Sequence, residues 1–331
     1  MHPAIDPTPA RTARSGYRCG MPATPPTHAL SPAAAGLAWG LLAAAIWTVY
    51  TVLARLGIKS GLTPWDMTLL RFAPGALVVL PFVWRWGLRD LAGIGWARGV
   101  ALAAISGPVF SLLMMTGFAH APLAHGAVIA PASQMLAGIA LSAWLAHAPV
   151  SRETLVGAAF VLLGLVFMGG DALVHGGGNA VLLGDALFAA AGCSWGLFGA
   201  LSRRWRVDAV RLTGVAVLLA FAMFAPLYAA VADPRGLLAA APGFVALQAV
   251  AHGIGAGLVA VLAYSRAAVL LGPGRASFFG AVVPGAASLL AIPVLDEIPT
   301  ALQLAGLVAV VVGLLLAFGA VRMLLGRAAP T

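Results

Sequence analysis

The sequence is short of charge. Of 331 residues only 9% are Asp, Glu, Lys or Arg, and just 10 are acidic, where a soluble domain carries roughly 25% charged residues. Hydrophobic residues reach 61%. So few charges cannot cover the surface of a water-soluble chain of this length, and most of that surface must face lipid. The two cysteines, Cys19 and Cys193, offer neither a disulfide framework nor metal-ligand spacing. A phosphate-binding loop is also missing. Lys59-Ser60 resembles the end of one, but Ile58 stands where a glycine is required. No cofactor, no metal and no direct use of ATP are expected. The net charge of +9 is compatible with a nucleic-acid partner, but the arginines lie in short loops between apolar runs. That is how a membrane protein marks its cytoplasmic side, so no nucleic acid is expected.

Residues 1–32 are rich in Pro, Ala and Thr and lack the apolar core of a secretory leader. They read as a disordered cytoplasmic tail, and Met21 is an alternative start that would make residues 1–20 foreign to the native protein. Beyond them, apolar runs of about 20 residues, the length that crosses a bilayer, recur ten times. They span approximately 33–54, 66–86, 98–117, 124–146, 154–170, 181–201, 211–231, 243–264, 276–295 and 301–322. With the N-terminus placed inside, fifteen basic residues fall on inner segments and three on outer ones, with Arg71 inside a span. That bias predicts a multi-pass protein of the cell inner (plasma) membrane with both termini cytoplasmic.

The spans repeat. Gly157 and Gly164 recur 149 residues later as Gly306 and Gly313, with Leu155, Val161 and Leu165 matched by Leu304, Val310 and Leu314. Nearer the start of each half the offset is 148, pairing Trp47 with Trp195 and Arg55 with Arg203. The chain is therefore a tandem duplication. Residues 33–170 form the first repeat, 171–180 a linker, 181–323 the second repeat and 324–331 a tail. Five spans per repeat is odd, so the second copy enters the membrane upside down. The expected fold is all-α, with ten transmembrane helices in two inverted five-helix repeats, an architecture shared by many secondary transporters.

These marks resemble the drug/metabolite transporter superfamily, in the branch with two EamA-type repeats. The resemblance covers about residues 33–323. It rests on Pro284 in the ninth span, Asp296-Glu297 after it, and the G-x6-G pattern of Gly306 and Gly313. Gly184-Asp185 with Trp195, and Arg71 in the second span, also look like the family's residues. The first repeat departs from the pattern, with Met135 at the proline position and Ala148 at the glutamate position; Pro131, one turn earlier, is an alternative kink. The resemblance implies a carrier of metabolites, amino-acid-like compounds or drugs, with export as the favoured direction.

An ionisable group inside hydrocarbon costs about 2.5–3.5 kcal/mol and faces a partner or a wet cavity. Arg71 is thus either a structural ion pair, with Asp185 as a candidate partner, or the anchor for an anionic group of the substrate. Asp185 is also the one carboxylate placed to take up a proton for coupling, though at a helix start it could simply favour the dipole. His252 lies mid-span among glycines that permit close approach, and either binds substrate or is satisfied by a backbone carbonyl. Gln134, with Ser133 beside it, is mid-depth in the fourth span; His125 is assigned to the interface. Trp47 and Trp195 are candidate cavity walls, with Tyr50 beside the first, or plain packing aromatics. Ser111, Met114 and Met115 offer an adaptable lining. Pro284 removes a backbone donor at mid-depth and reads as a hinge. Glu297 is assigned to capping the tenth span or holding the last two helices together.

Gly192-Cys193-Ser194-Trp195-Gly196 spells G-x-S-x-G, but that pattern works on a strained strand-to-helix elbow and here it lies in an apolar helix. A serine protease pairing Ser194 with His252 is the enzyme alternative, and no enzymatic activity is expected. The reading is a secondary transporter that moves a small organic solute through the bilayer by alternating access, with homodimerisation left open. A non-transporting helical scaffold is the competing class.

Overall fold

The computed structural model describes residues 31–146, 150–174 and 178–317, which are helices and connecting turns with no strand among them. The N-terminal tail through residue 30, the sites at Ala148 and Gly176, and residues 318–331 lie outside the described residues. Among the described residues ten long helices follow one another, with a five-residue helix Arg235–Ala239 before the eighth: α1 Pro32–Lys59, α2 Pro64–Trp86, α3 Trp96–His120, α4 Leu123–Ala146, α5 Arg152–Val174, α6 Gly178–Arg204, α7 Ala209–Val231, α8 Pro242–Leu271, α9 Pro273–Leu295 and α10 Ala301–Ala317. Nine of them are long and apolar enough to cross a bilayer, and the described part of α10 is a shorter apolar helix. Several run past their expected edges. α5 extends to Val174 and α6 begins at Gly178, so most of the expected 171–180 linker is helical.

Local chemistry sets the helix starts. The Ser31 hydroxyl accepts from the Ala34 amide and Pro32 opens α1, where a missing N–H is no loss. Thr63 and Asp66 form a reciprocal capping box at α2, and the Asp208 side chain caps α7. The sides of the helices follow the opposite rule from a soluble protein. Leu77, Trp144, Leu173 and Val269 are more than 70% exposed, whereas Asp66, His125, Gln248 and His252 are fully buried. Polar groups sit inside and apolar ones outside because the solvent around the helices is hydrocarbon.

The packing has two-fold logic. α1 packs on α8 and α9 of the second repeat, and its counterpart α6 packs on α3 and α4 of the first. α2 packs on its own counterpart α7, and α5 on its counterpart α10. With five spans per repeat this exchange makes the repeats inverted. The α5–α10 crossing is set by glycine. A Cβ added at Gly157 would lie 2.5 Å from the Gly313 carbonyl oxygen, and one at Gly313 2.6 Å from the Gly157 oxygen. Gly164 and Gly306 repeat the arrangement, at 2.8 and 3.0 Å. Only hydrogen at these four positions lets the backbones touch.

The third helix of each repeat is irregular at matching places. α3 opens into a wide turn over Ile105–Val109, where Gly107 leaves helical dihedrals (φ −95°, ψ −109°) and Pro108 has no N–H. α8 is wide over Val250–Val259, which holds Gly253, Gly255 and Gly257. Gly107 and Gly255 are related by the same 148-residue offset that relates Trp47 and Trp195. By contrast α9 runs as one helix from Pro273 to Leu295 through Pro284.

Candidate functional site

Where α1, α2, α3 and α8 meet, one cation is buried among rings. Arg71 on α2 is 8% exposed, and its Nη1 donates to the Tyr50 hydroxyl from α1. The guanidinium carbon lies 5.0 Å from the centre of the Tyr50 ring, 5.5 Å from that of Phe110 on α3 and 5.8 Å from that of Phe72. These are cation–π distances, and each such contact is worth about 0.5–2 kcal/mol when desolvated. Rings balance part of the charge, yet none carries a formal negative charge. Among the described residues no carboxylate pairs with Arg71.

His252 completes the cluster from the wide turn of α8. Its ring meets Tyr50 edge-on at 4.7 Å, and neither ring nitrogen has a hydrogen-bond partner among the described residues. One turn earlier on the same face, Gln248 donates to the Leu53 carbonyl at 2.9 Å and leaves its own oxygen unpartnered. Buried polar atoms are nearly always satisfied, and the His252 nitrogens and the Gln248 oxygen are exceptions among the described residues. Thr68, one turn before Arg71, shares a buried hydroxyl contact of 3.0 Å with Ser111 on α3.

The equivalent tryptophans stand at the edges of this cluster. Trp47 packs on Tyr264 of α8 at 5.4 Å. Trp195 packs on Phe110, the ring that faces Arg71, at 4.6 Å. Each therefore touches an aromatic of the third helix of the opposite repeat. Met114 and Met115 are buried core residues. Gln134 is exposed on α4 and stands outside the buried cluster, and the Pro284 carbonyl accepts the Ser288 hydroxyl at 2.9 Å.

Asp185 is not the partner of Arg71. It joins a second cluster that the sequence reading missed. His125 sits near the start of α4 and is fully buried within the protein, with both ring nitrogens engaged: Nδ1 is 2.7 Å from Asp185 Oδ1 on α6 and Nε2 is 3.1 Å from Asp171 Oδ2 on α5. From the start of α10, Thr300 donates to Asp171 at 2.5 Å and Gln303 at 2.7 Å. Thr300 and Gln303 also cap α10 reciprocally, which displaces Glu297 from the capping role expected of it. Glu297 instead accepts from Arg55 at 2.8 Å, lies 3.7 Å from Lys59, and accepts the Leu123 amide at 2.7 Å. It ties α1 to the start of α4 at the α9–α10 turn. The serine of the G-x-S-x-G pattern, Ser194, donates to the Ile105 carbonyl in the wide turn of α3 at 2.6 Å. His252 is therefore not its base.

Membrane-crossing helices in two inverted sets of five, with buried polar groups where the sets meet, define a polytopic carrier architecture. The EamA-like transporter family matches residues 34–170 and 182–319, one match per repeat, and the chain belongs to that family. It is a family of transporters and not of enzymes. Among solved structures, one crystal structure matches 89% of this chain and 99% of its own, with 21% sequence identity and a TM-score of 0.59. That likeness extends to the fold alone. No curated protein matches.

Proposed function

We propose that this transporter moves a small organic solute across the cell inner membrane by alternating access, exporting it from a cytoplasm that holds both termini. The solute carries an anionic group, which Arg71 receives, while Tyr50, Phe110 and His252 contact the rest of it. The observation that carries this reading is a buried guanidinium with rings around it and, among the described residues, no carboxylate beside it. A permanently uncompensated charge inside a bilayer is costly, and a bound anion offsets that cost. The position supports the reading, since α1–α3 belong to one repeat and α8 to the other, and an exchange of the two inverted halves alters their mutual packing. Trp47 and Trp195 would wall the solute's path on its two sides, Gln134 would meet the solute elsewhere along that path, and Pro284 would serve α9 as a hinge. The energy comes from the proton gradient or from the solute's own gradient.

Purified protein screened by thermal shift against anionic, zwitterionic and neutral solutes identifies ligands, because a ligand of the folded state raises its melting temperature. Hits are then tested for flux in proteoliposomes. Flux above that of empty vesicles, lowered by Arg71→Gln for anionic solutes, is the expected result; flux equal to empty vesicles for every hit leaves only a scaffold.

A further inference from the structure

The cluster around His125 contains a proton whose location decides whether two parts of the molecule are tied together. α4 and α6 form one closely packed pair, and α5 and α10 form another. Gly192 and Gly196 of α6 press on the α4 backbone, just as the four glycines described above join α5 to α10. His125 and Asp185 ride on the first pair; Asp171, Thr300 and Gln303 ride on the second. Between the pairs at this level His125 Nε2 lies 3.1 Å from Asp171 Oδ2; the Gln303 amide nitrogen, 3.2 Å from Nε2, is itself a donor and is directed at Asp171 Oδ2 at 2.7 Å.

An imidazole can bond two carboxylates at once only if both nitrogens carry hydrogen, or if one carboxyl carries the second proton instead. Either way the closed arrangement holds one titratable proton among three groups and has a net charge of −1. Remove that proton and two carboxylates share one N–H. One carboxylate then faces a ring lone pair, and a charge of −2 sits in a buried seam. The least costly relief is separation of the helix pairs, which lets water reach the carboxylates. Add a proton instead and the cluster is neutral, with Asp185 Oδ2, buried and without a hydrogen-bond partner, as the oxygen open to receive it.

A cavity of about 340 Å³ reaches this seam from the end of the bundle that carries the α9–α10 turn, and His125, Asp171, Thr300 and Gln303 line it. Among the described residues the other charged groups facing it are Asp296 and Glu297, the latter held by Arg55 of α1 and near Lys59. His120, at the end of α3, bonds the Thr116 carbonyl. The repeat supplies no counterpart at the opposite end, because Pro273 and Gly274 occupy the positions equivalent to His125. A metal ion is a poor fit, since the two nitrogens of one ring point at different carboxylates.

We propose that His125, Asp171 and Asp185 are a proton-binding site that latches the α4–α6 pair to the α5–α10 pair, so that the pH of one face alone sets how readily that end opens. The transport reading gives the latch its purpose, but proton binding and helix separation are measurable with no solute present. Full-length protein in detergent, labelled with ¹⁵N-histidine, gives the His125 signal by difference from His125→Gln. Both its nitrogens are expected to be protonated in the closed state, with a titration that moves at least tenfold in proton activity in Asp185→Asn or Asp171→Asn. Spin labels at Asn179 and Ile298, after Cys19 and Cys193 are changed to serine, are expected to separate over the same pH range. That change is expected to vanish in His125→Gln, with Asp185→Asn as the second variant should the first not fold. A His125 signal that ignores pH, or a spacing that ignores pH or responds to it equally in the variants, overturns the latch. Absent flux with the titration intact removes the transport reading instead.

Discussion

Replacing Gly157 and Gly313 together with alanine tests the α5–α10 crossing. The new Cβ atoms would lie 2.5 and 2.6 Å from opposing carbonyl oxygens, whereas carbon and oxygen in contact sit no closer than about 3.3 Å. The helices must separate by about 0.8 Å, the larger shortfall from that limit. The obstacle is backbone, which cannot swing aside as a side chain can. Overpacking costs about 1–3 kcal/mol per site, and alanine returns at most about 1 kcal/mol of helix propensity at each. Because the first substitution already parts the helices, the second adds less than its full share, and the double variant should lose about 2–4 kcal/mol overall. The assay is melting in one detergent at one scan rate, where a loss of that size lowers Tm by about 3–6 °C. Gly138→Ala and Gly280→Ala are the controls, because a Cβ at either meets nothing within 4 Å, and each should be neutral or stabilising. A double variant that melts at or above the parent refutes the argument that touching backbones require these glycines.

Arg71→Gln should lower flux of anionic solutes at least tenfold while leaving neutral ones nearly unchanged; equal loss for all would remove the anchor role. His252→Leu should hold or raise Tm, since the buried imidazole has no partner among the described residues and an unmade hydrogen bond costs about 1–3 kcal/mol, yet it should slow transport. Should Tm fall sharply instead, the histidine is structural. Glu297→Gln should destabilise by about 1.5–3 kcal/mol, the worth of hydrogen bonds to a charged group, seen as a lower melting temperature that added salt does not restore. Pro284→Ala should reduce turnover more than apparent affinity in proteoliposome kinetics, and a change confined to affinity would rule out a hinge there.

The ten spans and the doubling were legible because hydropathy and a repeat offset are written along the chain. Gly157, Gly164, Gly306 and Gly313 could be singled out for the same reason. The tertiary partners were harder. His125, Asp171 and Asp185 come from three helices, and which helices cross depends on packing that no local pattern encodes. Asp171 is hidden for a simpler reason: the apolar run ends near residue 170, which places Asp171 in a linker, whereas α5 continues to Val174. Charge counting alone pointed Asp185 at Arg71. The wide turns have a sequence signal, Gly107-Pro108 in α3 and three spaced glycines in α8, but glycine spacing alone does not distinguish a widened turn from a close helix contact.

The wide segment of α8 also controls aim. A helix that accommodates more residues per turn delays every later side chain by roughly 100° for each residue in excess of the 3.6-residue repeat. Tyr264 follows that segment and Gln248 precedes it, yet both point at α1, one at the Trp47 ring and one at the Leu53 carbonyl. Wound at the normal pitch, the same sequence would swing Tyr264 off its tryptophan. The compass bearing of one wall is thus stored in a few loosely coiled glycines, and tightening that coil would rotate the wall without moving the helix axis.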